Sequence, residues 1–220
     1  MAGSHFRETD FCMRFCLLDR ILSVQPGKSL TAIKTVSLAE EYLGDHFPRF
    51  PVLPGVLMLE ALTQAAAWTI RLGEDFAHSI VVLRTAKNVK YGDFVQPGRT
   101  LTVAVEVLEQ DETTTRVKAT GSVGEKTSLT ARLSLERYNL ADRLPHGDAL
   151  DARVRAEMRR QWAILHPPTR GVGPSRPVVY RPDPAHPEVL RSERQVSDEL
   201  SAREGTVPAF LQGMSTAPPR

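Results

Sequence analysis

A chain of 220 residues with 41% apolar and 25% charged side chains has an ordinary globular composition, with length for one well-cored domain plus an appendage. Its 28 Lys+Arg against 26 Asp+Glu leave a net charge of +2, and with no basic stripe interleaved with aromatics this argues against nucleic acid as a partner. No apolar stretch approaches the ~20 residues needed to span a bilayer. The first five residues lack a basic start followed by an apolar run, so no signal peptide is predicted and the cytoplasm is the default compartment.

Residues 1–13 read as an N-terminal extension, with Met13 a candidate natural start. Cys12 and Cys16 have no second Cys/His pair nearby, so they read as reduced thiols, one or both facing a core, rather than as a zinc site or a disulfide framework. Residues 14–24 run apolar around Asp19-Arg20, Pro26-Gly27-Lys28 marks a turn, and residues 29–36 alternate as a strand with Leu30, Ala32, Ile33 and Val36 toward a core. Together they predict a hairpin.

Pro48, Pro51 and Pro54 then forbid regular helix or central strand. Residues 56–72 predict a helix that is apolar nearly all round and therefore buried on most sides, with Gly73 as its stop. Within it Glu60, Thr63 and Gln64 need a reason to be there. From residue 79 the period shifts to strands: Ile80–Leu83, a less regular stretch from Val89 to Phe94, Leu101–Val107, Thr114–Val123 and Leu129–Leu135. A hairpin, a buried helix and a run of antiparallel strands predict an α+β domain with a central helix against a curved sheet.

The composition changes near residue 141. Leu150, Val154, Met158, Trp162 and Leu165 recur at three or four, which predicts an amphipathic helix within 141–166, packed on the parent domain or a partner subunit. Residues 167–220 are rich in Pro, Arg, Ser and Glu and predict an extended or disordered tail.

The chemistry concentrates between His46 and Gln64. A histidine stands in a proline-pinned loop that ends at Pro54-Gly55, where a helix start offers unpaired amides and a positive dipole end. Five residues on, Glu60 lies in the apolar helix, where burial without a partner raises a carboxyl pKa toward the range of a general acid. Gln64, one turn later on the same face, is placed to hold that carboxyl by a hydrogen bond.

This segment resembles the β-hydroxyacyl-ACP dehydratases of bacterial fatty-acid synthesis, FabZ type. The matching residues are His46-Phe47-Pro48, Pro51-Val52-Leu53-Pro54-Gly55-Val56-Leu57, Glu60-Ala61 and Gln64. Leu18-Asp19-Arg20, Pro26-Gly27-Lys28 and Val95-Gln96-Pro97-Gly98 extend the resemblance to roughly residues 14–137. It implies a hot-dog fold over 14–140, a homodimer or trimer of dimers, and an acyl carrier protein presenting a 3-hydroxyacyl group, with no cofactor or metal. It also implies His46 as the base, Glu60 of the other subunit as the acid, and the Gly55 amide on the thioester carbonyl. Phe47, Pro54 and Gln64 support them, and Leu59, Leu62, Ala66 and nearby Phe residues are candidate walls of an acyl tunnel.

The chain departs from the family pattern at Asp45 and Arg49, where glycine is usual, and at Gly92-Asp93, where a basic run is usual. Lys90 remains for carrier docking, and Lys87, Arg84 or the tail arginines are the candidates to replace the lost charges. Glu60, where dehydratase–isomerases have Asp, points to dehydration without isomerisation. The competing readings are a hot-dog acyl thioesterase, a catalytically weak carrier-binding or assembly protein, and a dehydratase of a specialised acyl pathway.

Overall fold

The computed structural model describes residues 15–167; Cys12, the predicted extension 1–13 and all of the predicted tail except Pro167 lie outside them. Six antiparallel strands form one sheet in the order β1-β2-β4-β5-β6-β3, with β1 spanning Arg20–Gln25, β2 Ser29–Thr35, β3 Ile80–Tyr91, β4 Thr100–Gln110, β5 Thr114–Val123 and β6 Lys126–Tyr138. The helix α1, Gly55–Gly73, packs across strands from both ends of that order. The hot-dog architecture expected from the sequence is therefore present.

The strands face α1 with their alternate residues. Leu101, Val103 and Val105 of β4, Val117 and Ala119 of β5, and Leu129, Ala131, Leu133 and Leu135 of β6 are all buried. Every residue of α1 from Ala61 to Ile70 is buried, as its continuous apolar run requires. Thr63 and Thr69 satisfy their hydroxyls on the carbonyls of Leu59 and Ala65, at 3.0 and 2.9 Å. Cys16 packs partly buried against the core, its thiol 3.3 Å from the Leu18 carbonyl.

Three local expectations need correction. Ile33 is only half-buried; the next inward position of β2 is taken by Lys34, 6% exposed, whose ammonium lies 2.8 Å from Glu40 and 3.6 Å from Asp19. The strand read over Ile80–Leu83 and the irregular stretch after Val89 are one strand of 12 residues, interrupted by bulges between Leu83 and Thr85 and between Lys87 and Lys90. Asn88 takes a left-handed conformation there, φ 53°, and the extra residues break the alternation that would have shown continuity. Leu150 is exposed, because its neighbour Asp151 occupies the inward position of the second helix.

That helix, α2, spans Gly147–Leu165 and lies over the C-terminal half of α1. Trp162 meets Trp68 at 6.2 Å between ring centroids and stacks on His166 at 4.6 Å, and Met158 and Leu165 are buried beneath. Arg159 reaches over the Phe76 ring and bonds Asp75 at 2.9 Å.

The end of α1 meets the β1–β2 turn backbone to backbone. Gly27, at φ 69°, donates from its amide to the Thr69 carbonyl at 3.1 Å, and a Cβ on Gly73 would fall 2.5 Å from the Gly27 Cα. Neither partner is a movable side chain, so Gly73→Ala is expected to cost about 2–3 kcal/mol, the upper range for overpacking, read as a lowered midpoint in urea unfolding.

Candidate active site

Lys34 and Glu40 form the first support of the His46 loop. Glu40 accepts from the Lys34 ammonium and, at 3.2 Å, from the Ser37 amide, which fixes the chain just before the short 3-10 turn Glu41–Leu43. Burial pushes the Glu40 carboxyl up, but the bonds from Lys34 and the Ser37 amide outweigh it and hold the group below its ordinary value. On the far side of His46 the Phe50 amide bonds the Phe47 carbonyl at 2.7 Å, and the Leu53 amide bonds the Val95 carbonyl at 2.8 Å. Phe47 itself is left-handed, φ 55°, and its ring lies 4.4 Å from the His46 ring. Val52 and Leu53 are buried and anchor the loop, while Phe47, Arg49 and Phe50 stay exposed.

His46 opens onto a cavity of 230 Å³ that it shares with Gly55, Met58 and the segment Tyr91–Phe94. Gly55 is the first residue of α1, and Pro54, its N-cap, provides no side-chain cap. The amides of Leu57 and Met58 turn back to the Pro54 carbonyl at 2.9 and 3.1 Å, and among the described residues no acceptor takes the Gly55 amide. An orphan amide at the positive end of a helix, on a residue that lines a cavity with an imidazole in its wall, favours an oxygen that gains negative charge.

Tyr91 explains why residue 55 is glycine. A Cβ there would lie 2.9 Å from Tyr91 Cε1, inside contact distance. Gly55→Ala keeps a helical backbone and improves helix propensity, but it displaces the Tyr91 ring from the cavity wall. The expected outcome is a near-unchanged unfolding midpoint with turnover reduced ~10–100-fold, the scale of a misplaced substrate.

Glu60 lies elsewhere. It is half-buried, does not line the His46 cavity, and its Oε1 accepts from Gln64 Nε2 at 3.0 Å. The Gln64 side chain is otherwise occupied as well: Nε2 donates to the Phe15 carbonyl at 3.1 Å and Oε1 accepts from the Leu17 amide at 2.9 Å. At about 100° per residue, five residues carry Glu60 about 140° around the helix from Gly55. One subunit thus brings His46 and Gly55 together and points Glu60 away from them.

The proposed tunnel residues divide in the same way. Leu62 and Ala66 are fully buried in the core, Leu59 is half-buried, and the cavity walls are Val52, Leu53, Met58 and Tyr91 instead. Tyr91 and Phe94 are the site residues that sequence reasoning missed; Phe94 meets Phe50 edge-on at 5.7 Å and 89°, joining the two loops that flank His46. Their only signal was position, since they stand where a family basic run would. Lys87 and Lys90 are exposed on β3, outside the His46 cavity. Among the described residues there is no cluster of His, Cys, Asp and Glu that would hold a metal ion, and no helix long and apolar enough to cross a membrane.

The FabA-like domain model matches residues 12–132. The 3-hydroxyacyl-[acyl-carrier-protein] dehydratase FabZ of Levilactobacillus brevis is 40% identical over 117 residues, 53% of this chain and 79% of that protein. The FabZ of Janthinobacterium sp. is 39% identical over 132 residues, 59% of this chain and 85% of that protein. Among solved structures, the dehydratase heterocomplex ApeI:P from Xenorhabdus doucetiae aligns at 22% identity with a TM-score of 0.48, over 56% of this chain and 84% of that one. Matched by the family model over more than half its length, the chain belongs to the FabA-like domain family.

Proposed function

We propose that the protein dehydrates (3R)-3-hydroxyacyl-ACP to trans-2-enoyl-ACP, in a homodimer whose active sites are shared between subunits. The observation that carries this reading is the convergence of His46 and the unpaired Gly55 amide on one cavity, with Glu60 about 140° away on the same helix. A second copy completes the set. The imidazole of His46 takes the C2 proton while the Gly55 amide, at the helix start, stabilises the negative charge growing on the thioester oxygen. The electron pair of the C2–H bond forms the C2=C3 double bond, the C3–O bond breaks, and Glu60 of the partner subunit protonates the departing hydroxyl as water. Gln64 holds the Glu60 carboxyl by its 3.0 Å bond and orients it.

The edge strand β3 is the natural seam for such a dimer. It is 12 residues long, largely exposed, and pairs on one side only, with β6, so its other backbone edge is unsatisfied in a single chain. The catalytic unit is residues 14–140 with α2 as an appendage, and the cytoplasm is the compartment that fits a carrier-borne substrate.

Product identity tests this reading against thioester hydrolysis. Incubation with (3R)-3-hydroxybutyryl-ACP is expected to yield crotonyl-ACP with no release of free carrier thiol. Thiol release without enoyl product would assign the site to a thioesterase instead.

A further inference from the structure

Away from His46, the outer face of the sheet carries an arrangement of charge that folding alone disfavours. Lys87 of β3 stands directly opposite Arg132 of β6, and Arg132 stands directly opposite Lys118 of β5. Like charges in register across a sheet destabilise it. All three side chains are exposed, and among the described residues no carboxylate lies within ion-pair distance of any of them. Their neighbours differ: Arg116 is held by Glu109 at 2.6 Å and Arg84 by Glu136 at 3.2 Å. Unpaired positive charge thus forms one row crossing three strands, which ends at the exposed Glu106 of β4, directly opposite Lys118 but outside ion-pair distance.

That row borders a groove of 550 Å³, which Lys87 and Arg132 line with Thr85, Asn88, Ser134, the half-exposed Leu108 and the mutually paired Glu109 and Arg116. Hydroxyls, an amide and an aliphatic side chain beside unpaired cations form a surface for an anionic protein partner. No aromatic side chain lines the groove, which argues against a stacking nucleic acid. Cross-strand neighbours lie about 5 Å apart, and carboxylates three or four residues apart on a helix are spaced about 5–6 Å. An acidic helix laid across β3, β6 and β5 therefore meets the row charge for charge.

We infer that this row, Lys87–Arg132–Lys118, is where the acyl carrier protein seats an acidic helix, on the outer face of the sheet and not along the strip 90–94. The inference rests on the dehydratase reading and names the docking surface for its substrate. Strand β3 links the two places: Lys87 is four residues from Tyr91, which lies against Gly55 in the His46 cavity, so the groove is on the order of 13 Å from the site along the strand. A flexible thiol-bearing arm spans that distance. Pairing of β3 with a second copy uses its backbone edge and leaves the outward Lys87 side chain in solvent. Within the strip itself, Asp93 is paired with Lys126 at 2.9 Å, so it contributes no free positive charge for a carrier.

The test compares two substrates bearing the same 3-hydroxybutyryl group, one on ACP and one on N-acetylcysteamine, in wild type, Lys87→Glu/Arg132→Glu and the milder Lys87→Gln/Arg132→Gln. Activity on the small thioester reports the chemistry, so failure of the dehydratase reading appears there, in wild type. The ratio of kcat/KM on the carrier to kcat/KM on the small thioester is expected to fall ~10-fold or more with charge reversal and by less with neutralisation, with a weaker dependence on salt in both. Lys28→Glu, an exposed reversal in the β1–β2 turn, leaves the ratio unchanged. A ratio unaltered in both double variants, or one that rises because the row was seating acidic residues of this chain's own tail, overturns the inference.

Discussion

His46→Ala and Glu60→Ala are each expected to lower turnover at least ~100-fold while leaving the protein folded, the scale for losing a positioned general acid or base. Folding should survive because neither side chain supports the core. His46 is half-buried at a cavity mouth whose loop is held by Val52, Leu53 and the Leu53–Val95 backbone bond at 2.8 Å. Glu60 contributes one bond to a Gln64 side chain that keeps two others, to Phe15 and Leu17. A mixture of the two variants allowed to exchange subunits should regain activity, because a dimer of one His46→Ala and one Glu60→Ala chain keeps one intact His46–Glu60 pair. Equal loss in the mixture would place both groups in one subunit, against the 140° that separates Glu60 from Gly55 on the helix.

Asp151→Ala is expected to release α2 from the domain at a cost of about 3–5 kcal/mol. Asp151, 1% exposed, accepts from the Ser79 hydroxyl and from the Leu140 and Ala141 amides, the last two at 2.8 and 2.9 Å. Removing the carboxylate strands the buried Ser79 hydroxyl, at about 1–3 kcal/mol, and removes two further bonds from the half-buried Leu140 and exposed Ala141, at about 0.5–1.5 kcal/mol each. Asn139, which takes the Ser79 amide at 3.0 Å and Arg155 at 3.0 Å, remains but cannot replace it. The protein has two tryptophans, and they face each other across this joint, so a red-shifted tryptophan emission reads the seating of α2 directly. Asp151→Asn, which keeps one acceptor oxygen, should lose about half as much. The pH dependence has a defined sign. Burial raises the Asp151 carboxyl, but its hydrogen bonds more than offset this and the folded pKa is lowered. Its contribution is therefore complete above the unfolded value of about 3.9 and is lost as pH falls through the lower folded value.

What could be read in the sequence follows from how each element announces itself. The continuous apolar run of α1 and the alternation of Leu101, Val103 and Val105 are direct consequences of burial, and both were legible. Strand β3 was legible only at its start, Ile80–Leu83, because its two bulges cancel the period beyond it and an edge strand needs few apolar residues. Lys34 and Asp151 are charged residues whose burial depends on partners outside their own strand or helix, and the periodicity of an element does not encode such partners. The candidate site divides likewise. His46, Gly55 and Glu60 stand in one short segment and were legible as a motif. Tyr91, some 36 positions after Gly55 (91 − 55), reaches the cavity only because β3 runs back beside the start of α1.

The most direct measurement of the central claim is intact-mass analysis of a 3-hydroxyacyl-ACP chain-length series after incubation with the wild-type protein. Loss of one water from at least one member, giving 2-enoyl-ACP with the thioester intact, is the predicted result. A folded dimer that converts none of the series would contradict it, and would leave a carrier-binding protein that kept the fold without the reaction.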